Sequence, residues 1–389
     1  MDFDLTDEQR LLADSVGRLM GDAYGSLEKR RAHAAEPHGW SERVWAQYAE
    51  LGLLGLPFAE RHGGFGGGAV ELMIVMEAFG RGLALEPYLA TVVLGGGLLR
   101  LAGSEAKQAR LVPRVADGSL KLAFAHGEAQ ARYDLDDVAT TARRAGDGWR
   151  LDGAKSVVLH GDCADLLVVS ARTGGERRDR DGITLFLVEA GVPGVSRRGY
   201  PTQDGQRAAE ILLEGVELTP DAVLGPVGGA AAPIRLAVDA ALAALSAEAV
   251  GAMDALHALT LEYLKTRKQF GVTIGSFQVL QHRAVDMVVA IEQARSMAMY
   301  ATMMAGTPEG HAAVAGAKVQ VNRSARFVGQ QSIQLHGGIG MTMEYLAGHY
   351  FKRLTIIESL FGDTEHHLRE VTASGGLLGD LPSGSGLAK

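Results

Sequence analysis

Hydrophobic and polar positions divide the chain into three stretches. Up to residue 119 the apolar residues recur at helical spacing. Thr6-Asp7-Glu8-Gln9 reads as a T-x-x-Q capping box that opens a helix with Leu12, Val16 and Leu19 on one face. A second helix begins near Ser41, carries Val44, Tyr48 and Leu51, and ends at Gly52. His62-Gly63-Gly64-Phe65-Gly66-Gly67-Gly68 is too rich in glycine for regular structure. Further helices are predicted over about Val70–Arg81, Tyr88–Leu101 and Ser104–Asp117.

The period then changes. Leu120–His126, Val138–Arg144, Trp149–Lys155, Leu166–Ala171, Ile183–Val188 and Glu210–Val216 are short runs rich in Val, Leu, Ile, Thr and Phe. Gly, Pro and Asp separate them, and Gly146-Asp147-Gly148 reads as a turn, so residues 120–228 are expected to form a small β barrel or sandwich. From residue 229 the helical period returns over Ala231–Thr266, Phe277–Gly306, His311–Leu335 and Thr342–Ser374, which predicts an antiparallel four-helix bundle. The Ser/Gly/Pro-rich stretch Leu381–Lys389 reads as a disordered tail. The expected fold is α+β: a helical domain over 1–119, a β domain over 120–228 and a bundle over 229–389.

Composition narrows the function. At 47% hydrophobic and 22% charged the chain is ordinary for a globular protein, and a net charge of −8 gives no general attraction to nucleic acid. Arg177-Arg178-Asp179-Arg180 reads as a solvated loop. The single cysteine, Cys163, excludes an intramolecular disulfide and fits a reducing compartment. The acidic N-terminus has no apolar segment of the signal-peptide kind. The most apolar long run, around Ala230–Met253, carries Arg235, Asp239 and Glu248 and reads as a buried helix, not a membrane span. A soluble cytoplasmic protein is expected.

Candidate chemistry concentrates near the C-terminus. Gln334-Leu335-His336-Gly337-Gly338-Ile339-Gly340 leaves a helix through paired glycines, which admit positive φ and close backbone approach. A corner that merely needs glycine and a surface for a bulky ligand both fit. Thr342 is the expected N-cap of the next helix, with Tyr345 and no acid at the third position. Upstream stand Arg267-Lys268-Gln269-Phe270-Gly271 and Phe277-Gln278. Together these motifs resemble the flavin-binding signature of the acyl-CoA dehydrogenase family, and the resemblance runs from about Phe3 to about Arg369.

That resemblance implies the three-domain fold of the family and an FAD whose diphosphate and adenosine lie across a subunit interface. It implies that Arg267 reaches the diphosphate with bidentate bonds, Phe270 packs on the cofactor and Gln278 lies near the diphosphate or adenine end. Gln334, Gly337 and Gly338 would meet the neighbouring subunit's FAD, and Thr364 the flavin. The alternative for Arg267 is a cation that offsets the dipole at a helix C-terminus.

Two family features are altered. The loop that normally reads E-P-x-A-G-S-D is Ala125–Asp134 here, with Glu128 and Asp134 as its remnants and His126, Arg132 and Tyr133 non-standard. The following T-T-A-R and D-G-W-R-L-D-G-A-K runs match between Thr140 and Lys155. The family's tyrosine–glutamate–glycine–threonine run, which supplies a carboxylate base, falls on Phe361-Gly362-Asp363-Thr364. Counting from Gln334 without gaps puts its glutamate on Phe361; a one-residue shift puts it on Gly362 and keeps Thr364 in register. A second family location falls on Ala241. The nearby acids are Asp363 first, then Glu358 and Glu248, and Asp363 reads equally as the N-cap of a helix over Glu365–Arg369.

This pattern is most similar to the small subunits of heteromeric acyl-CoA dehydrogenases of the pimeloyl-CoA type, over Asp2–Leu12, Glu86–Gly97, Ala131–Arg143, Gly153–Asp162 and Leu360–Leu368. It implies an FAD-dependent subunit that converts an acyl-CoA, such as a dicarboxylyl-CoA, to the trans-2-enoyl-CoA, with Arg132 or His126 placed for a distal carboxylate. An electron-transferring flavoprotein would be the acceptor. The assembly would be a homo- or hetero-tetramer with a larger related subunit, and no metal is implied. Two other readings stay open: a non-catalytic subunit that completes the FAD site of a larger one, and a flavin oxidase or monooxygenase on the same fold.

Overall fold

Thr6 closes its capping box: its hydroxyl accepts from Gln9 N at 3.2 Å and the Gln9 side chain accepts from Thr6 N at 3.0 Å. The helix so opened, α1, spans Asp7–Tyr24 in the computed structural model, which describes residues 5–375. The stretch Leu381–Lys389, expected to be a tail, lies outside the described residues. α2 (Leu27–Ala34) has no counterpart among the predicted helices, because the side chains it buries are Arg30 and His33 and no apolar stripe announces it. Buried Arg30 donates to the carbonyls of Leu83 and Asp204 at 3.0 and 2.7 Å. α3 (Glu42–Glu50), α4 (Ala69–Gly82), a π-helical segment over Leu89–Gly95, α5 (Gly96–Ala102) and α6 (Glu105–Ala116) follow as the periodicity predicts. Glu86 sits among them almost fully buried and accepts from the hydroxyls of Tyr24 and Tyr48 at 2.7 and 2.9 Å.

The middle of the chain is sheet. β1 (Leu122–Ala125), β2 (Thr141–Ala145), β3 (Gly148–Leu159), β4 (Leu166–Arg172), β5 (Ile183–Glu189), β6 (Val195–Pro201), β7 (Arg207–Leu218) and β8 (Val223–Leu224) form one eight-stranded sheet. Its order is β6-β7-β3-β2-β4-β5-β8, with β1 parallel to β4. β6 escapes sequence detection because it is an edge strand whose residues, Val-Ser-Arg-Arg-Gly-Tyr-Pro, are largely exposed. β4 is buried along its whole length, and its Val169 and Leu167 join Trp149, Phe186, Ile211 and Leu213 in the core. The β3–β7 ladder slips twice, between Leu151 and Gly153 and between Lys155 and Val158. Each slip is a bulge that bends the strand.

The remainder is helical: α7 (Ala231–Thr266), a short hairpin of β9 (Lys268–Gln269) and β10 (Val272–Thr273), α8 (Gln278–Met304), α9 (Gly310–His336), α10 (Leu346–Ser359) and α11 (Thr364–Ala373). α7 is long and apolar enough to cross a membrane, yet 89% of that apolar window is buried inside the protein. Two corrections to the predicted bundle follow. The helix after the glycines begins at Leu346 with Tyr345 as N-cap, not at Thr342; Gly337–Met341 instead forms a 3-10 turn, and Thr342 Oγ1 donates to Ile339 O at 2.9 Å at its end. The last predicted segment is two helices, because Phe361 and Gly362 take positive φ of 56° and 130° and no helix continues through them.

These elements fall into two compact units, Met1–Val75 with Gly82–Ala241 and Met76–Arg81 with Leu242–Lys389. Within the second, the end of α4 lies backbone to backbone on α7. A Cβ on Gly80 would stand 1.9 Å from Glu248 O, and one on Gly251 1.9 Å from Glu77 O, so only glycine permits this approach. Arg295 of α8 fastens the pair, donating to Glu77 at 3.0 Å and to Asp254 at 2.6 Å.

Candidate functional site

The hairpin after α7 turns through Phe270 and Gly271, both at positive φ (54° and 79°). Two-residue hairpin turns need that geometry, but phenylalanine adopts it at a cost. The turn holds the Phe270 ring out, 91% exposed, with Phe277 6.4 Å away. Arg267, at the end of α7, is exposed, and its side chain makes no hydrogen bond or ion pair among the described residues. Gln278, the first residue of α8, is exposed beside them.

The glycine motif lies at the same end of the bundle. Tyr263, one turn before Arg267, packs on His336 at 4.7 Å and on Tyr345 at 6.4 Å, and His336 packs on Tyr345 at 5.1 Å. This ring cluster ties the last turn of α7 to the last turn of α9. Gln334 is exposed there, Gly337 has φ 63°, and nothing approaches within 4 Å of a Cβ built on Gly337 or Gly338. The corner is therefore a guanidinium, an exposed aromatic ring, two exposed amides and bare backbone. That donor set can hydrogen-bond a diphosphate and stack against a planar ring.

Asp363 and Thr364 do not join this group. They stand beyond the far end of α10, a helix of 14 residues, hence about 20 Å along. They line a cavity of about 370 Å³ with Arg323, Arg326, Gln330 and Glu358. A larger cavity, about 780 Å³ among Arg110, Leu120, Leu187 and Leu218, contains none of the residues singled out in the sequence.

Each candidate acid already has a partner. The Asp363 carboxylate caps α11, accepting from His366 N at 2.8 Å. Glu358 pairs with Arg326. Glu248 is almost fully buried and forms a two-point pair with Arg353, 2.6 and 2.8 Å. A side chain at position 362 would be strained by the φ of 130° and would have to displace His367, since a Cβ there would stand 2.5 Å from His367 Nε2.

The altered loop of the sheet is held by buried cations. Lys155, with no exposed surface, donates to Glu128 at 2.6 Å and to Ser170 Oγ at 3.2 Å. Glu128 also accepts from the amides of Ala139 and Thr140 at 2.8 and 3.0 Å. Burial alone would raise its carboxyl, but Lys155 and these hydrogen bonds outweigh it and hold the group at about 2. Arg172 donates to the carbonyls of Asp179, Asp181, Asp136 and Arg177 at 2.7–2.8 Å. The arginine loop is therefore more than solvated surface: Arg177 and Arg178 pair with buried Asp137 at 3.0 and 3.2 Å, and Arg178 with Asp134 at 3.4 Å. Burial lowers His126 to about 3, so the imidazole is neutral against Ser170 Oγ at 2.8 Å. The roles of Lys155 and Arg172 escaped the sequence reading because their partners are loop residues brought up by the fold, such as Glu128 and Asp179; for Arg172 the available signal was a charge closing an otherwise apolar strand.

A helical part, a sheet-rich middle and a second helical part, in that order and with this glycine corner, make up the three-domain acyl-CoA dehydrogenase fold. Family descriptions for the acyl-CoA dehydrogenase N-terminal, middle and C-terminal domains match residues 6–119, 123–216 and 236–375. A probable acyl-CoA dehydrogenase of Bacillus subtilis is 30% identical over 352 residues, 89% of this chain and 92% of the relative. Two solved structures agree. One is a variant of the Tcur3481–Tcur3483 steroid ACAD (31% identity, TM-score 0.84, 94% of this chain and 97% of that one). The other is the ChsE4–ChsE5 complex of Mycobacterium tuberculosis (26%, TM-score 0.86, 96% and 98%). The chain belongs to the acyl-CoA dehydrogenase family, and with it to the FAD-dependent oxidoreductases.

Proposed function

We propose that this chain is one subunit of an FAD-dependent acyl-CoA dehydrogenase whose α-proton base is a carboxylate of a larger, related subunit. The observation that carries this reading is position 362. On the shifted register it is where the family's glutamate would stand; here it is glycine, and Asp363, Glu358 and Glu248 are all engaged elsewhere. Two of the similar structures bear paired names, which fits an assembly of unlike chains.

Arg267, Phe270, Gln278, Gln334, Gly337 and Gly338 would hold the adenosine diphosphate part of FAD. The free guanidinium, exposed ring and uncovered glycine backbone fit that group, and their distance from Thr364 fits a cofactor shared across a subunit interface. FAD, when bound, accepts the hydride from the β-carbon. The chain's own part would be to hold the diphosphate by charge and hydrogen bonds, and to offer Thr364, at a capped helix start, as a contact for the flavin. The substrate class that fits is an acyl-CoA, with a dicarboxylyl-CoA of the pimeloyl type as the finer proposal. An electron-transferring flavoprotein is the proposed acceptor and the cytoplasm the proposed compartment.

A second reading makes Asp363 itself the base, favoured by its place on the wall of the 370 Å³ cavity beside Thr364. Flavin content separates shared from self-contained sites. Purified alone, the chain is expected to keep little FAD; co-purified with its larger relative, the complex keeps it. A full complement of FAD in the chain alone would contradict a site that needs the larger subunit.

A further inference from the structure

Two consecutive residues at positive φ, Phe361 and Gly362, make the turn between α10 and α11. A bulky residue in that region is strained and persists only where its surroundings impose it. Beside Gly362 stand two imidazole rings. A Cβ on Gly362 would stand 2.5 Å from His367 Nε2, 2.6 Å from His366 Cδ2 and 2.9 Å from His367 Cε1. The rings meet edge to face, 5.1 Å between centroids.

His367 has little freedom to move aside. It is 2% exposed, and its amide donates to Asp363 O at 3.1 Å. Neither ring nitrogen meets strict hydrogen-bond geometry with a described residue, and the ring's polar contact is with the backbone of Gly362 itself, so packing and that contact hold it against the turn. On the other side of the turn, fully buried Lys318 donates to the Ile357 carbonyl in the last turn of α10 and to Asn322 Oδ1 at 2.8 Å. The turn is thus pinned at both ends, with the His367 ring filling its middle.

We propose that His367 is a plug: its ring occupies the space into which a side chain at position 362 would grow, and so positions Asp363 and Thr364 on a turn that bears no side chain there. The proposal rests on the register that places the family's carboxylate at position 362. A glutamate at position 362 then has no room while the two rings stand. The chain is locked into the role of the subunit that offers no base from this position.

A double-mutant cycle in the full-length chain tests the plug by thermal unfolding, without reference to activity. Gly362→Ala is expected to lower the midpoint strongly. In the His367→Ala background the same change should shift it by less, since the two contacts with that ring are gone while the His366 contact and the strain at positive φ remain. In the His367→Phe background, where a ring of similar size stands, the full shift should return. If Gly362→Ala alone does not fold, recovery of folding by adding His367→Ala supports the plug, and failure to recover overturns it. Equal shifts in all three backgrounds overturn it as well. Such a failure leaves the flavin-content test of the shared site untouched, so the two claims fall separately.

Discussion

The Glu248 carboxylate and the Arg353 guanidinium meet at two points, Nε to Oε1 at 2.6 Å and Nη2 to Oε2 at 2.8 Å, with both side chains at most 7% exposed. Both oxygens of this buried carboxylate are engaged by a cation, which makes it the least accessible of the candidate bases. Breaking the pair from one side leaves the other charge buried and unpaired. Arg353→Met is therefore expected to cost about 3–5 kcal/mol in urea unfolding, while Arg353→Met with Glu248→Leu costs much less. A single variant as stable as the parent would show that the pair is not formed in solution.

The Glu128–Lys155 pair makes a pH prediction. Glu128 titrates near 4.5 when unfolded and at about 2 in the fold, so the unfolded chain binds more protons between those values. Its contribution is complete above about 4.5 and disappears as pH falls toward 2. Glu128→Gln should lower stability at neutral pH and flatten the slope of stability against pH across that window, read by urea titration at a series of pH values. An unchanged slope would mean that Glu128 is not held by Lys155.

Much of this was readable in the sequence, and what was not has physical causes. The Thr6–Gln9 box is a local interaction, three residues apart, and so is visible in order along the chain. The glycine corner was also legible as a break, because Gly337 takes a φ of 63° that other residues avoid. The start of α10 was misplaced because Gly337–Met341 continues as a 3-10 turn, which leaves Thr342 outside the helix. α2 and β6 bury charged side chains or none, so hydrophobic periodicity is silent about them. Glu248 and Arg353 are 105 residues apart, and nothing in either neighbourhood reveals that each satisfies the other.

Asp363 should behave as a cap whatever else it does. Asparagine also caps well, so Asp363→Asn is expected to leave the unfolding midpoint nearly unchanged, whereas Asp363→Ala loses the bond to His366 N and costs about 1 kcal/mol. Equal stability of both variants would show that the capping bond contributes nothing.

Arg267 has no protein partner among the described residues, so its removal is expected to cost the fold little and the cofactor much. Arg267→Ala should leave thermal unfolding of the flavin-free chain unchanged while weakening flavin retention in the complex by about 2 kcal/mol or more, the loss of a charged, bidentate phosphate contact. Flavin retained through gel filtration as in the parent would refute the assigned role.

Anaerobic bleaching of the flavin by acyl-CoA bears most directly on where the base resides. It is measured on the chain alone, on the complex with the larger related subunit, and on that complex carrying Asp363→Asn. The account predicts little or no bleaching by the chain alone even when FAD is supplied, rapid bleaching by the complex, and the same rapid rate with Asp363→Asn, because the proton is taken by the partner's carboxylate. Full bleaching by the single chain, or its abolition in the complex by Asp363→Asn, would place the base in this chain and contradict the account.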